Sequence, residues 1–484
     1  MTISGALSNA ISGLRAAGRG AEVVSSNISN ALTPGYGRRL LSLSAATIGD
    51  SGGVRVDGII RIVDASLASD RRLAGAEQVN AQGAADFLAG IERLLGTPDN
   101  PASLSARLSG FESALITASS RPDATERLSA SVAQAKDLVD AITSASSGIQ
   151  DARTLADQTI SSQVEQLNSG LQQIVDLNQQ ITALQVQGGN VAGLQDLRQQ
   201  VIDDIGVLVP IREVPRDNGQ IALYSVGGAV LVDGTAATIG FDRSNVVTPY
   251  MSVEAGTLSG LTINDTPVRT SSEKGALRGG AIGAQFAIRD ELGVEAQVQV
   301  DAIARDLISR FQDLAVDPTI VPGGAGLFTD SGGSFDPINE RGLASRLTLN
   351  ASVDPNQGGS VWRMRDGVNA MAPGAIGDAT LLQNLGAALS TAVVPGSGGF
   401  GGSAFTSSGL VAAVTSQMGS DRTVAEQKLS FAAARFSELT ERQLADGVDT
   451  DQEIQRLMTL EQAYAANARV IEAVDEMMQT IIRM

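Results

Sequence analysis

Apolar positions at both ends of the chain recur at alternating gaps of three and four. Near the N-terminus they are Ile3, Leu7, Ala10, Leu14, Ala17, Ala21, Val24, Ile28 and Ala31. At the C-terminus they are Leu457, Leu460, Tyr464, Ile471, Val474, Met478 and Ile481, and Asn467 fills the one skipped position. Such heptads suit a partner helix better than a broad globular core. Neither Gly nor Pro interrupts the C-terminal run, and a helix over Thr450–Met484 would be about 50 Å long. Thr450 and Glu453 stand at capping-box spacing and mark its start. The N-terminal seam is Ala-rich, which lets another helix come close. Two clean heptads at the two extremes predict that the ends pair with each other. A polar residue in a seam costs stability and fixes register, and that is the role expected of Asn467.

The pattern between the ends is nested. The first helix should stop near Leu32, before the turn sequence Thr33-Pro34-Gly35-Tyr36-Gly37. Alternation over Arg38–Ser44 and Val54–Val63 predicts a hairpin through Gly49-Asp50-Ser51-Gly52-Gly53. Helices follow at about Asp64–Leu95 and Ser103–Ser119. Arg121-Pro122-Asp123 starts a very long helix, with Pro near its first turn, that runs to about Gln187, with Gly148 and Gly170 as its weak points. Another covers Ala192–Leu208. Pro210, Pro215, Asn218-Gly219 and Asp233-Gly234 then bracket short strand-like runs. Helix resumes over Gly275–Val316, residues 319–404 are rich in Gly, Pro and Ser, and a last long helix covers Leu410–Ala445.

The expected fold is therefore mainly α with inserted β domains. The N- and C-terminal helices pair as a coiled-coil stem, a long helical bundle follows, and a β-rich middle projects from it. In residue terms, 1–33 and 450–484 form the stem. Residues 34–205, 275–318 and 405–449 form the bundle, with a hairpin near 38–63. Residues 206–274 form a β domain, and 319–404 a variable β or loop insertion.

Composition narrows what this architecture does. A formal charge of −18 lacks the positive face that a phosphate backbone requires, so nucleic acid is not an expected partner. No run of 18 apolar residues occurs, so no membrane insertion is expected. No basic leader followed by an apolar block opens the sequence, so a cleavable secretory signal is not expected either. The chain has no histidine and no cysteine. That removes imidazole bases, thiolate chemistry and the usual zinc ligands, and neither catalytic residues nor a cofactor or metal site is assigned.

Three motif matches have plainer readings. Gly49-Asp50-Ser51-Gly52-Gly53 spells the surroundings of a serine-protease nucleophile, but Ser51 has no histidine to take its proton. Gly396, Gly398 and Gly401 match GxGxxG without the strand and helix that dinucleotide binding needs. Asp446, Asp449, Asp451 and Glu453 lack the spacing of a Ca²⁺ loop and precede a helix, where carboxylates favour its positive end.

Asn27-Ile28-Ser29-Asn30 followed by Pro34-Gly35-Tyr36 resembles the N-terminal motif of the bacterial flagellar axial proteins, the rod, hook and hook-associated family. Leu460-Glu461-Gln462-Ala463-Tyr464, Ala466-Asn467-Ala468, Ile471 and Asp475-Glu476-Met477 resemble its C-terminal motif. Asp196-Leu197-Arg198-Gln199-Gln200, Gly227–Leu231, Gly279–Gly283 and Arg289-Asp290-Glu291 are similar to the middle of the hook-associated members. Gln200-Val201-Ile202 departs from the second Arg-Asp pair usual there, and 319–404 matches only loosely.

The resemblance implies a structural protein. It would be exported unfolded through the flagellar type III apparatus with a chaperone, without signal cleavage. It would then assemble as a ring at the distal end of the hook, extracellularly, and join hook to filament. The implied partners are further copies of itself, hook protein, and hook-associated protein 3 on the filament side. The expected assembly surface comprises Ile3, Leu7, Leu14, Val24, Asn27, Ile28 and Asn30 on the first helix. On the last helix it comprises Leu457, Leu460, Tyr464, Asn467, Ile471, Val474, Met478 and Ile481. The competing readings are another axial protein, hook or rod, with fewer long helices over 64–205, and a secreted coiled-coil binder whose ends would pair stably in the monomer.

Overall fold

A computed structural model describes residues 3–33, 35–46, 52–97 and 99–483. Pro34 and Ser51, with most of the expected hairpin loop, lie outside the described residues. Helix α1 (Ile3–Ser29) leads into the antiparallel hairpin β1 (Arg38–Ala45) and β2 (Val54–Ile62). Three long helices follow: α2 (Ala65–Leu95), α3 (Leu104–Ser120) and α4 (Thr125–Val186). Asp64 caps α2 and Ser103 caps α3, each accepting from N–H groups that the helix itself leaves unpaired. With 62 residues, α4 is about 93 Å long, and it runs unbroken through both Gly148 and Gly170. Those glycines serve close packing: a Cβ on Gly148 would lie 2.6 Å from a Leu94 methyl.

Helix α5 (Ala192–Leu208) precedes a four-stranded antiparallel sheet of β3 (Ile211–Pro215), β4 (Ile221–Ser225), β5 (Val230–Asp233) and β6 (Thr235–Ala236). A three-stranded sheet of β7 (Ile239–Gly240), β8 (Leu261–Ile263) and β9 (Thr266–Val268) follows. The helix expected from Gly275 begins instead at Gly280, and a π turn over Ile288–Leu292 divides it into α6 (Gly280–Ala287) and α7 (Gly293–Phe311). The π turn coincides with a buried ion pair. Arg289 and Asp157 are both fully buried, with Nη1 to Oδ1 at 2.6 Å, and Arg153 Nε donates to the Arg289 carbonyl at 2.7 Å. Residues 319–404 fold down onto the bundle as β10 (Phe328–Asp330), α8 (Leu343–Arg346), β11 (Leu347–Leu349), α9 (Arg363–Asp366) and α10 (Thr380–Ser390). Helices α11 (Ser407–Ala445) and α12 (Thr450–Arg483) complete the chain.

The nesting read from the sequence is present as two helix pairs. Helix α12 packs on α1, and α11 packs on α2. Glu92 meets Arg422 while Glu77 meets Arg435, so the second pair is antiparallel.

Two apolar cores share α4. Its first half, from Leu128 to Ala156, packs with α2, α3, α7, α10, α11 and residues 320–389. Its second half, from Ile160, packs with α5, α6 and the two sheets. Asp157 and Arg289 sit where one core gives way to the other. The glycine tract around Gly396, Gly398 and Gly401 forms a loop closed by a β-bridge between Val393 and Phe405, and no helix starts on it.

Candidate functional site: the terminal stem and its neck

Small residues bring α1 and α12 together. A Cβ on Gly13 would lie 2.7 Å from the Asn467 amide, and one on Gly20 would lie 2.9 Å from a Leu460 methyl. One heptad further along, Asn27 donates through Nδ2 to Glu453 Oε2 at 3.0 Å. As α1 advances by a heptad, its partner on α12 recedes by one, so the stem is antiparallel. The α1 stripe facing α12 thus includes Gly13, Gly20 and Asn27, each one position before a member of the apolar heptad. Hydropathy misses this stripe because a glycine adds no apolar surface; it contributes the space that allows close backbone approach.

The expected surface residues divide into three groups. Val24, Asn27 and Val474 are buried. Ile3, Leu7, Leu14, Ile28, Asn30, Leu457, Leu460, Asn467 and Ile471 are half-buried. Tyr464, Met478 and Ile481 stay open, at 45%, 45% and 59% exposure. Ile454, Met458, Val470, Met477 and Ile482 extend the open apolar surface of α12. Asn467 lies over Gly13 and donates within its own helix to the Ala463 carbonyl at 2.8 Å. Asn30 closes the end of α1 by donating to the Ser26 carbonyl at 2.9 Å.

The start of α12 differs from the expected capping box. Asp449 is the cap, accepting the Asp451 and Gln452 N–H groups at 3.0 and 3.1 Å. Glu453 turns inward instead and is fully buried. Its Oε1 pairs with Arg38 Nη2 at 2.9 Å and with Arg456 Nη1 at 3.2 Å. Capping-box spacing cannot separate these outcomes, because a carboxylate in the first turn can serve the helix end or a neighbouring cation equally well.

Asn27 holds the base of the stem. Its Nδ2 donates to the Arg39 carbonyl at 2.9 Å, and its Oδ1 accepts the Arg39 N–H at 3.0 Å. The amide therefore pairs with one residue of β1 as a neighbouring strand would. The Tyr36 hydroxyl donates to the same Oδ1 at 2.9 Å. An aspartate could not supply the two donations, which accounts for an amide at this fully buried position.

A second carboxylate gathers the turn and hairpin. Asp196 on α5 accepts the Gly37 N–H at 3.0 Å and Arg61 Nε at 2.6 Å on Oδ1, and Arg39 Nη2 at 2.8 Å on Oδ2. Gly37 is needed here because a Cβ would collide with the Arg61 guanidinium. Asp196 appears in the sequence only as part of a resembling motif, and no local signal ties it to residues more than a hundred positions earlier.

The long helices behind the stem agree with the family profiles that match the chain. The profile of the flagellar hook-associated protein FlgK helical domain matches residues 88–317, and that of the flagellar basal body rod FlgEFG protein C-terminal region matches 445–484. The chain belongs to the flagellar hook-associated protein 1 family. Flagellar hook-associated protein 1 of Escherichia coli (strain K12) is 25% identical over 397 residues, covering 74% of this chain and 72% of that one. The Bacillus subtilis (strain 168) protein of the same name is 24% identical over 489 residues, covering 94% and 93%. A solved structure of the flagellar hook junction protein FlgK from Burkholderia pseudomallei aligns with a TM-score of 0.45 at 19% identity, over 55% of this chain and 47% of that one. The helical-domain match runs from the end of α2 through α7, and the rod-protein match covers α12.

Proposed function

We infer that the chain is a structural, non-enzymatic protein of the flagellar hook–filament junction, which binds through its stem and turns nothing over. The state of α12 supports this reading most. Its buried side chains are Glu453 and Val474, while a row of apolar residues along its outer half remains open. A long helix of this kind is weak alone and is stabilised by neighbours. Subunits packed around a channel supply such neighbours. We propose that the neighbours are further copies of the chain in a ring, hook protein on one side and hook-associated protein 3 on the other. A chaperone and the flagellar type III export apparatus would handle the chain before it folds. Among the described residues no helix is long and apolar enough to cross a membrane.

Co-sedimentation with isolated hooks stripped of filament tests the reading. Full-length protein is expected to bind at hook ends, and Ile471→Asp to lose binding while its circular-dichroism spectrum keeps the helical body. Equal binding by Ile471→Asp would move the contact away from the stem. Failure of the full-length protein to bind would refute the junction function.

A further inference from the structure

The stem and hairpin meet the body through a narrow neck. Among the described elements, the principal contact between the two is β2 against α5. Otherwise the chain crosses between them twice, near residues 63–64 and at 446–449. Asp196 stands at this contact. Its two oxygens collect donors from the turn (Gly37), from β1 (Arg39) and from β2 (Arg61), so one carboxylate fixes three points of the neck at once. The guanidinium of Arg39 also lies 4.8 Å from the centre of the Tyr36 ring, and Tyr36 in turn donates to Asn27. The path Asp196–Arg39–Asn27–Glu453 therefore runs from α5 through β1 and α1 to α12.

Helix α5 is mounted to bear this. Two residues beyond Asp196, Arg198 donates through Nη1 to Asn178 Oδ1 on α4 at 2.7 Å and to the Gly219 carbonyl at 2.8 Å. Burial holds the Arg198 pKa down at about 10, so its charge persists at neutral pH. Further along α5, Asp203 pairs with Arg71 of α2 and lies 3.5 Å from Arg72, which also pairs with Glu213 of β3. The carboxylate facing the neck is thus carried by a helix pinned on its other sides to α4, α2 and the first sheet.

We propose that Asp196 is a positioning residue that sets the angle between stem and body, so that motion of an assembled stem is passed to the body through this carboxylate as well as through two peptide crossings. Its importance in the flagellum rests on the junction function above, but the joint can be tested separately. The chain has no cysteine, so Glu22→Cys on α1 and Val186→Cys at the end of α4 give two clean labelling sites. Spin-labelled protein is diluted into unlabelled protein, bound to stripped hooks, and the label-to-label distance distribution is recorded by pulsed electron resonance. The parent should give one narrow distribution. Asp196→Ala should bind hooks as well as the parent and give a distribution at least twice as wide. Asp196→Asn keeps one acceptor oxygen and should fall between them, which covers the case that the alanine variant folds poorly. Unchanged widths in both variants would overturn the proposal. Loss of hook binding by a variant with native helical content would also overturn it, because Asp196 would then act in assembly itself. Failure of the parent to bind would speak against the junction function and leave the joint to be read from the free protein.

Discussion

Helices α4 and α12 solve the same problem in opposite ways. Along α4 apolar residues are buried at nearly every turn, from Leu128 to Ile181, and the helix supplies both cores of the body. Helix α12 has the same kind of periodicity, yet its buried side chains are one valine and one glutamate. The body buries two continuous cores within one chain, whereas the stem buries only a narrow seam of small residues and a polar hub and leaves apolar surface open. Equal periodicity therefore does not mean equal burial. What differs is how much of each seam its own chain can cover, and the remainder on α12 fits an element finished by assembly.

The comparison breaks most sharply in the body. Phe111, Phe311 and Phe328 are fully or almost fully buried, with ring centroids 5.1 to 6.1 Å apart. Phe111→Ala should cost about 3–5 kcal/mol of body stability. Chemical denaturation monitored by circular dichroism would show it, and hydrogen exchange along α12 in the free protein should be unchanged.

A pH series tests the body next. Asp301 is buried on α7 and accepts the Gly342 and Ala344 N–H groups at 2.7 and 2.8 Å and Gln297 Nε2 at 2.8 Å. Burial pushes its pKa up to about 6 against those hydrogen bonds, so the folded state favours the proton. The stability this contributes is full below the ordinary aspartate pKa and is lost as pH rises through about 6, amounting to about 3 kcal/mol at most. Wild type should lose melting temperature between pH 4 and pH 6 relative to Asp301→Asn, which lacks this titration. Parallel curves over that range would contradict the assignment.

The stem should show the smallest thermodynamic effect and the largest functional one. Gly20→Val puts two methyls against Leu460 and should cost the stem about 1–3 kcal/mol. Hook binding should be lost while the melting temperature of the body stays put.

Much of this was legible in the sequence. The hairpin, the long α4 and the nesting of ends were carried by alternation and heptads, because each element keeps one regular period along its length. The site was legible in part. The seam positions on α12 were readable as leucines and isoleucines, but the stripe on α1 that meets them includes Gly13 and Gly20, which carry no hydropathy. Glu453 read as a helix cap because its role as the buried partner of Asn27 and Arg38 depends on residues over 400 positions away. The π turn at Ile288–Leu292 left no trace, since nothing local marks Arg289 as the partner of Asp157. Residues 319–404 read as loose because Phe328, Leu343, Leu347, Leu382 and Leu389 reach the core from short elements with no shared period.

The central claim is that the stem completes its burial only in assembly. Hydrogen exchange along α12, compared between free protein and protein bound to stripped hooks, tests it most directly. Exchange over residues 454–483 should be fast in the free protein and slow at least tenfold on the hook, with the amides of α4 unchanged. Equal protection of α12 in both states would contradict the claim and favour a stem already finished in the monomer.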